Sequence, residues 1–114
     1  MLKKLLMFTA VAEGAFGVLL IVAPTLVGRL LLATEISGGA ITIARLAGVG
    51  LVVLGAGCWP RDDLRRARYL MLTYSVLALV GLIVVGLVRS AGILLWPAVL
   101  VHAVIVVLLL WAGR

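Results

Sequence analysis

The chain has 114 residues, which is a suitable length for one domain, and 66% of them are hydrophobic. Soluble domains are roughly 45–50% apolar, and a chain this short cannot bury so much apolar surface in its own core. The composition therefore excludes an ordinary soluble domain and predicts a membrane protein. The net charge is +6, but the basic residues flank apolar runs. This placement favours orientation in a lipid bilayer over nucleic-acid binding.

Four apolar segments are each long enough to cross a ~30 Å hydrocarbon layer, which needs roughly 20 residues. Each must be helical, because an open strand would leave backbone groups unpaired in lipid. In chain order the predicted spans are residues 5–23, 38–59, 68–88 and 92–113. Short connections make neighbouring helices antiparallel. The predicted fold class is therefore all-α, a single domain over residues 1–114 forming an up-down-up-down bundle of four transmembrane helices.

Two other segments qualify this plan. The piece "TLVGRLLLATEIS" between the first two spans is apolar but short, so we interpret it as interfacial or re-entrant. The N-terminal "KKLLMFTAVAEG" has some features of a signal peptide. Its apolar start "LLMF" is too short for one, and the apolar run continues to Ala23, so we expect the segment to be retained. The single cysteine, Cys58, excludes an internal disulfide.

Basic residues predict the orientation of the bundle. Seven fall on one side: Lys3, Lys4, Arg61, Arg65, Arg66, Arg68 and Arg114. Only two, Arg29 and Arg89, fall on the other side. Both termini and the loop "PRDDLRRAR" are therefore expected in the cytoplasm, an N-in/C-in topology.

Small residues recur at helical spacing on the first two spans. Gly14 and Gly17 lie on the first, and Gly48 and Gly55 lie on the second. Such residues let two helix backbones approach closely in lipid. We therefore expect the first two spans to pack tightly through these glycines.

Three ionisable side chains lie well inside the predicted spans: Glu13, Arg45 and His102. At ~1.5 Å per residue, Glu13 lies roughly 12 Å from the inner edge and Arg45 roughly 10 Å from the outer edge. A long arginine can close the remaining gap, and a buried charge needs a partner. We therefore predict a Glu13–Arg45 ion pair. It either belongs to a functional site or only fixes the register of the bundle.

His102 is expected near the same depth, and it can relay a proton, ligate a haem or hydrogen-bond a quinone. Because the chain has one histidine, bis-His haem ligation would need a symmetric dimer. Tyr74 adds hydrogen-bonding capacity to this polar cluster. The sequence has no HExxH motif, phosphate loop or nucleophile elbow. We expect neither enzymatic activity nor a metal site.

The stretches "TAVAEGAFGVLLIVAP", "ARLAGVGLVVLGAGCWPRD" and "LLWPAVLVHAV" resemble a widespread group of small bacterial four-helix inner-membrane proteins of unassigned function. This resemblance covers nearly the whole chain, including Glu13, Arg45 and His102, and it implies a bacterial inner-membrane location. The general plan also resembles the DoxX-like four-helix proteins, some of which are linked with quinone and thiol redox systems. That second resemblance rests on size and topology.

The segment "AVAEGAFG" is similar to the "AE-x-x-G" start of small multidrug resistance transporters, in which a first-helix glutamate binds protons and cationic drugs. Those proteins have a lysine shortly after the glutamate, whereas "VLLIVAP" follows here. They also line the site with aromatics from other helices, and the second span here has none before Trp59. An arginine beside Glu13 would keep its carboxylate ionised and oppose proton exchange.

The function we expect is that of a non-enzymatic binding or accessory subunit. Its cluster of Glu13, Arg45, His102 and Tyr74 would bind a quinone, a haem-type cofactor or a lipid headgroup. Its expected partners are the lipid bilayer and either copies of itself or a larger membrane complex, without nucleic acid. The alternative is a proton-coupled exporter of the small multidrug resistance type, working as a dimer with Glu13 as the coupling carboxylate.

Overall fold

The computed structural model describes residues 1–88 and 91–113 and contains five α-helices in those ranges. They are α1 (Leu2–Val22), α2 (Pro24–Leu32), α3 (Gly39–Gly57), α4 (Leu64–Val88) and α5 (Leu95–Ala112). All except α2 are long and apolar enough to cross a membrane, which confirms the predicted number of long apolar helices. The boundaries differ by a few residues, since α4 begins before residue 68 and α5 begins after residue 92.

The segment between the first two spans forms helix α2. Pro24 begins it, because proline fits the first helical position, where its missing N–H would be unpaired anyway. Ala33 ends it in the left-handed conformation, at φ 52°. At nine residues, α2 is only about 14 Å long and cannot cross the membrane by itself.

The C-terminal carbonyls of α2 are bound by the segment that precedes α5. The N–H of Gly92 donates to the carbonyl of Leu31, and the N–H of Leu94 donates to the carbonyl of Leu30, each at 2.8 Å. The last carbonyls of a helix have no partner within the helix. These two bonds satisfy two of the last four carbonyls and hold α2 against the segment before α5.

Helices α1 and α3 pack most extensively, and glycines allow it. A methyl group added to Gly17 would lie 2.6 Å from the carbonyl oxygen of Gly48, and one added to Gly55 would lie 2.7 Å from that of Ala10. From the first contact to the second, the residue number falls on α1 and rises on α3, so the two helices are antiparallel. Gly14 also lies at this crossing, because its N and Cα would be 3.5 and 3.6 Å from a methyl group on Gly55, although a methyl group on Gly14 itself would meet nothing within 4 Å.

Helices α4 and α5 form the second antiparallel pair. Asp63 caps the start of α4, where its Oδ1 accepts the backbone N–H of Arg66 at 3.0 Å. One turn later Arg68 reaches α5, and its Nε donates to the carbonyl of Leu109 at 2.8 Å. A cation in the last turn of a helix also complements the negative end of the helix dipole.

Two apolar clusters hold the helix pairs together. The first joins the start of α1, the residue after α3, the first half of α4 and the second half of α5; its fully or nearly fully buried members are Leu6, Cys58, Ala67, Met71, Ile105 and Leu109. The second lies toward the other end and contains Leu20, Val27 and Leu51. Tyr74 packs against both clusters. The polar residues of the spans therefore lie between two apolar layers.

The first cluster also brings the start of α1, the end of α5 and the α3–α4 loop to one end of the molecule. Six basic residues share that end: Lys3, Lys4, Arg61, Arg65, Arg66 and Arg68. Arg89 and Arg114, which the predicted charge bias also includes, lie outside the described residues. The long axis measures 41 Å, close to the ~40–45 Å of a bilayer with its headgroups.

Candidate functional site

A cavity of about 890 Å³ lies between the two helix pairs. Its walls come from all four long helices, with Leu31 of α2 and Leu94 of the loop before α5 near one end. The wall-forming residues that matter below are Phe8, Glu13, Phe16, Gly50, Tyr74 and His102. Several others, including Val101 at 51% and Leu94 at 45%, are exposed. The cavity therefore opens on the side of the bundle, where apolar surface would face lipid.

Glu13 belongs to the buried face of α1. That face consists of Leu6, Thr9, Ala10, Glu13, Gly17 and Leu20, which follow the three- and four-residue spacing of one helix side. Only 8% of the Glu13 side chain is exposed. Thr9 lies one turn before it and donates its hydroxyl to the carbonyl of Leu6 at 3.1 Å, so the hydroxyl is bound within its own helix.

His102 of α5 is the ionisable neighbour of Glu13. The distance between Nε2 of His102 and Oε1 of Glu13 is 3.4 Å, and only 14% of the His102 side chain is exposed. On the other side of the ring, Nδ1 lies 2.8 Å from the carbonyl oxygen of Ala98. The backbone of α5 therefore fixes the ring so that Nε2 faces the carboxylate.

Tyr74 of α4 completes the polar part of the cavity. Its ring meets that of His102 edge to face, with the centroids 6.1 Å apart and an angle of 62° between the planes. Its hydroxyl is a polar neighbour of the Glu13 carboxylate. Three helices thus each contribute one polar side chain to a cavity that is otherwise almost wholly apolar.

The predicted pair between Glu13 and Arg45 is not formed. The contacts of Gly17 with Gly48 and of Ala10 with Gly55 set a register in which Arg45 is level with Leu20. That level is two helical turns from Glu13, or about 10 Å. Arg45 is also exposed and is not among the cavity walls. The structure therefore brings together Glu13, His102 and Tyr74 and leaves Arg45 out.

Sequence reasoning missed two parts of the site. One is the carbonyl of Ala98, which stands four residues before His102 and could have been found from the helical spacing. The other is the apolar wall, including Phe8 and Phe16, whose alignment depends on how the two helix pairs meet. In the described part of the chain, no group of three or more His, Cys, Asp or Glu side chains is arranged to hold a metal ion.

Comparison with known proteins finds no counterpart. No protein-family model, characterised protein or solved structure matches this chain. Its chemistry must therefore be inferred from its own residues.

Proposed function

We propose that the protein is a multi-pass protein of the bacterial inner membrane that binds a neutral lipophilic ligand in the cavity between its helix pairs. The observation that carries this proposal is the Glu13–His102 pair in the wall of a large apolar cavity. Buried polar groups in an apolar pocket orient a ligand, while the apolar walls supply most of the binding free energy. Ionisable groups inside a membrane also mark functional sites by default.

The proposed orientation places both termini and the α3–α4 loop in the cytoplasm. Six described basic residues at that end support it, because cytoplasmic segments carry the excess of lysine and arginine. The opposite end has Arg29, which pairs with Glu35 at 3.0 Å. The resemblance to small bacterial inner-membrane proteins favours the same location.

A quinone-type ring is the ligand that fits best. Its carbonyl oxygens would accept hydrogen bonds from the Glu13–His102 pair and from Tyr74, and its apolar tail would lie along the cavity wall. Phe8 and Phe16 also line the cavity, and aromatic rings would pack favourably against a flat ring. A lipid headgroup fits less well, because no cation lines the described cavity.

A haem fits the residues poorly. Axial ligation needs a free ring nitrogen, yet Nδ1 of His102 faces the carbonyl of Ala98 and Nε2 faces Glu13. Iron could bind Nε2 only by displacing the carboxylate. We therefore place haem below the quinone as a candidate ligand.

Proton-coupled export is the second candidate function, and one observation favours it. The partner of Glu13 is a histidine, which can lose its proton, and not an arginine, which cannot. An arginine beside Glu13 was expected to keep the carboxylate ionised and to oppose proton exchange, and that arginine is not in the site. In this scheme Glu13 is the coupling carboxylate of a dimer, and Phe8, Phe16 and Tyr74 offer aromatic faces to a cationic substrate.

The chain presents a long apolar surface on all four spans, and we propose that it works as a homo-oligomer or as a subunit of a larger membrane complex. No enzymatic role is proposed. Binding alone accounts for the arrangement of its side chains.

A retention experiment tests the ligand proposal. Purified protein in detergent is incubated with decylubiquinone, passed through gel filtration and extracted, and the quinone per chain is measured by absorbance. We expect the wild-type protein to retain it. Gly50→Phe should abolish retention, because Gly50 lines the cavity and a Cβ added there meets nothing within 4 Å, so the phenyl ring can fill the cavity.

Gly57→Phe is the matched control. Gly57 is also on α3 with open space beside it, but it does not line the cavity, so this variant should retain quinone like the wild type. Equal retention by wild type and Gly50→Phe would contradict the proposal, because the quinone would then be bound elsewhere. No retention by the wild type would also contradict it.

A further inference from the structure

The position of the imidazole ring determines which nitrogen of His102 carries its first proton. A carbonyl oxygen can only accept a hydrogen bond, so Nδ1, which lies 2.8 Å from the carbonyl of Ala98, must carry the hydrogen. The other nitrogen, Nε2, then has either a hydrogen or a lone pair. It faces Oε1 of Glu13 at 3.4 Å.

The number of protons between Nε2 and Oε1 decides the charge of the cavity. With no proton, a lone pair faces a carboxylate and leaves an uncompensated negative charge in an apolar site. With two protons, an imidazolium faces a neutral acid and leaves an uncompensated positive charge. With one proton the pair is neutral overall, whichever atom holds it. An uncompensated charge at membrane depth costs at least ~2.5–3.5 kcal/mol.

No other described side chain in the cavity wall supplies a counter-charge for a net charge on the Glu13–His102 pair. Tyr74 is the only further titratable group among the cavity walls. Helix α3 contributes Ala47, Gly50, Leu51 and Leu54, and α2 contributes Leu31. Arg45 is exposed and does not line the cavity, while Arg29 pairs with Glu35. The pair must therefore be neutralised by its own proton.

We propose that Glu13 and His102 hold one proton between them, and that this neutral pair selects neutral hydrogen-bonding ligands over ions. The selection follows from electrostatics, because an ion in the cavity would meet no counter-charge. A ligand carbonyl can accept the shared proton in a hydrogen bond, and a ligand hydroxyl can donate to the carboxylate oxygen. The second half of this inference rests on the proposed function, whereas the proton count does not.

Nitrogen-15 NMR of the protein in lipid tests the proton count. Because the chain has one histidine, a histidine label reports His102 alone. Infrared spectroscopy reports whether Glu13 is a carboxylic acid, from the band that Glu13→Gln removes. Free glutamate and histidine, with ordinary pKa values of about 4.3 and 6.5, would together hold about a tenth of a proton at pH 7.5.

At pH 7.5 we expect one proton in the pair, as an imidazolium beside a carboxylate or as an Nδ1–H imidazole beside a carboxylic acid. A neutral imidazole beside a carboxylate would overturn the proposal, as would an imidazolium beside a carboxylic acid. In Glu13→Gln, His102 should become a neutral imidazole. Arg45→Gln is the control and should leave both spectra unchanged; a changed proton count in it would also overturn the proposal.

The selectivity is tested with two lipophilic probes in the same detergent. Tetraphenylphosphonium, a cation, should bind at least tenfold more weakly than decylubiquinone. Equal or tighter binding of the cation would overturn the selectivity and favour the exporter. If neither probe binds while the spectra show one proton, the proposed function and the selectivity fail, and the proton count stands.

Discussion

Gly17 and Gly48 meet backbone to backbone where α1 crosses α3. A methyl group on Gly48 would lie 2.5 Å from the carbonyl oxygen of Gly17, and one on Gly17 would lie 2.6 Å from that of Gly48. This contact sets the register of the two helices. That register places Glu13 in the cavity wall and Arg45 two turns away from it.

The first prediction concerns this crossing. Gly17→Ala and Gly48→Ala should each lower the free energy of unfolding by about 1–3 kcal/mol, because the added methyl forces two backbones apart. Gly14→Ala is the control, since a methyl there meets nothing within 4 Å, and it should be neutral or slightly stabilising. Unfolding in mixed micelles with increasing SDS measures all three. A similar loss of unfolding free energy in all three variants would contradict the close approach of Gly17 and Gly48.

The second prediction concerns the end of α5. Arg68→Gln should destabilise the protein by about 1.5–3 kcal/mol, because the bond from its charged guanidinium to the carbonyl of Leu109 is lost. Arg66→Gln is the control, because Arg66 is exposed and only its backbone N–H is bonded, to Asp63. The same SDS titration compares them. Equal stability of the two variants would show that the hydrogen bond from Arg68 to the carbonyl of Leu109 does not stabilise the protein.

The third prediction concerns Cys58, which follows α3 and is 0% exposed. Burial raises the pKa of its thiol above the ordinary value, so the reactive thiolate forms only at higher pH. We expect slow alkylation by a maleimide in mild detergent and fast alkylation after denaturation in SDS. An exposed cysteine, Ser37→Cys in a Cys58→Ala background, is the control and should react fast in both. Fast reaction of Cys58 in the folded protein would show that it is not buried.

The fourth prediction concerns orientation. Glu35 and Asp62 are exposed and lie toward opposite ends of the bundle. In a Cys58→Ala background, Glu35→Cys should react with a membrane-impermeant maleimide added to intact spheroplasts, whereas Asp62→Cys should react only after lysis. The reverse pattern would show that the charge bias does not set the topology.

The sequence was sufficient to predict the long helices, because length and apolarity alone define a membrane span. It was also sufficient to select Gly17, Gly48 and Gly55, whose spacing places them on one face of each helix. Gly14 has the same spacing and its backbone lies against Gly55, but a methyl group on Gly14 would enter open space. Which small residue makes the contact depends on the rotation of each helix, and the residue type does not encode that rotation.

The candidate site was predicted in part. Glu13, His102 and Tyr74 were identified as polar residues inside the spans, and the structure brings them together. The partner of Glu13 was predicted wrongly, because Arg45 lies on an exposed face of α3 outside the cavity, and depth along the membrane normal does not reveal which face of a helix a residue occupies. Depth can be estimated from sequence at ~1.5 Å per residue, and an arginine side chain is long enough to bridge several ångströms. Arg45 and His102 were therefore both possible partners of Glu13, and only the packing of the helices distinguishes them.

The central claim is that Glu13 and His102 act as one unit on a ligand in the cavity, and a double-mutant cycle on decylubiquinone affinity tests it most directly. Glu13→Gln and His102→Gln should each weaken binding by about tenfold or more, and the double variant should be little weaker than either. That pattern corresponds to a coupling of about 1–3 kcal/mol. Arg45→Gln should bind like the wild type. Additive losses from the two single changes, or an unchanged affinity in both, would contradict the account.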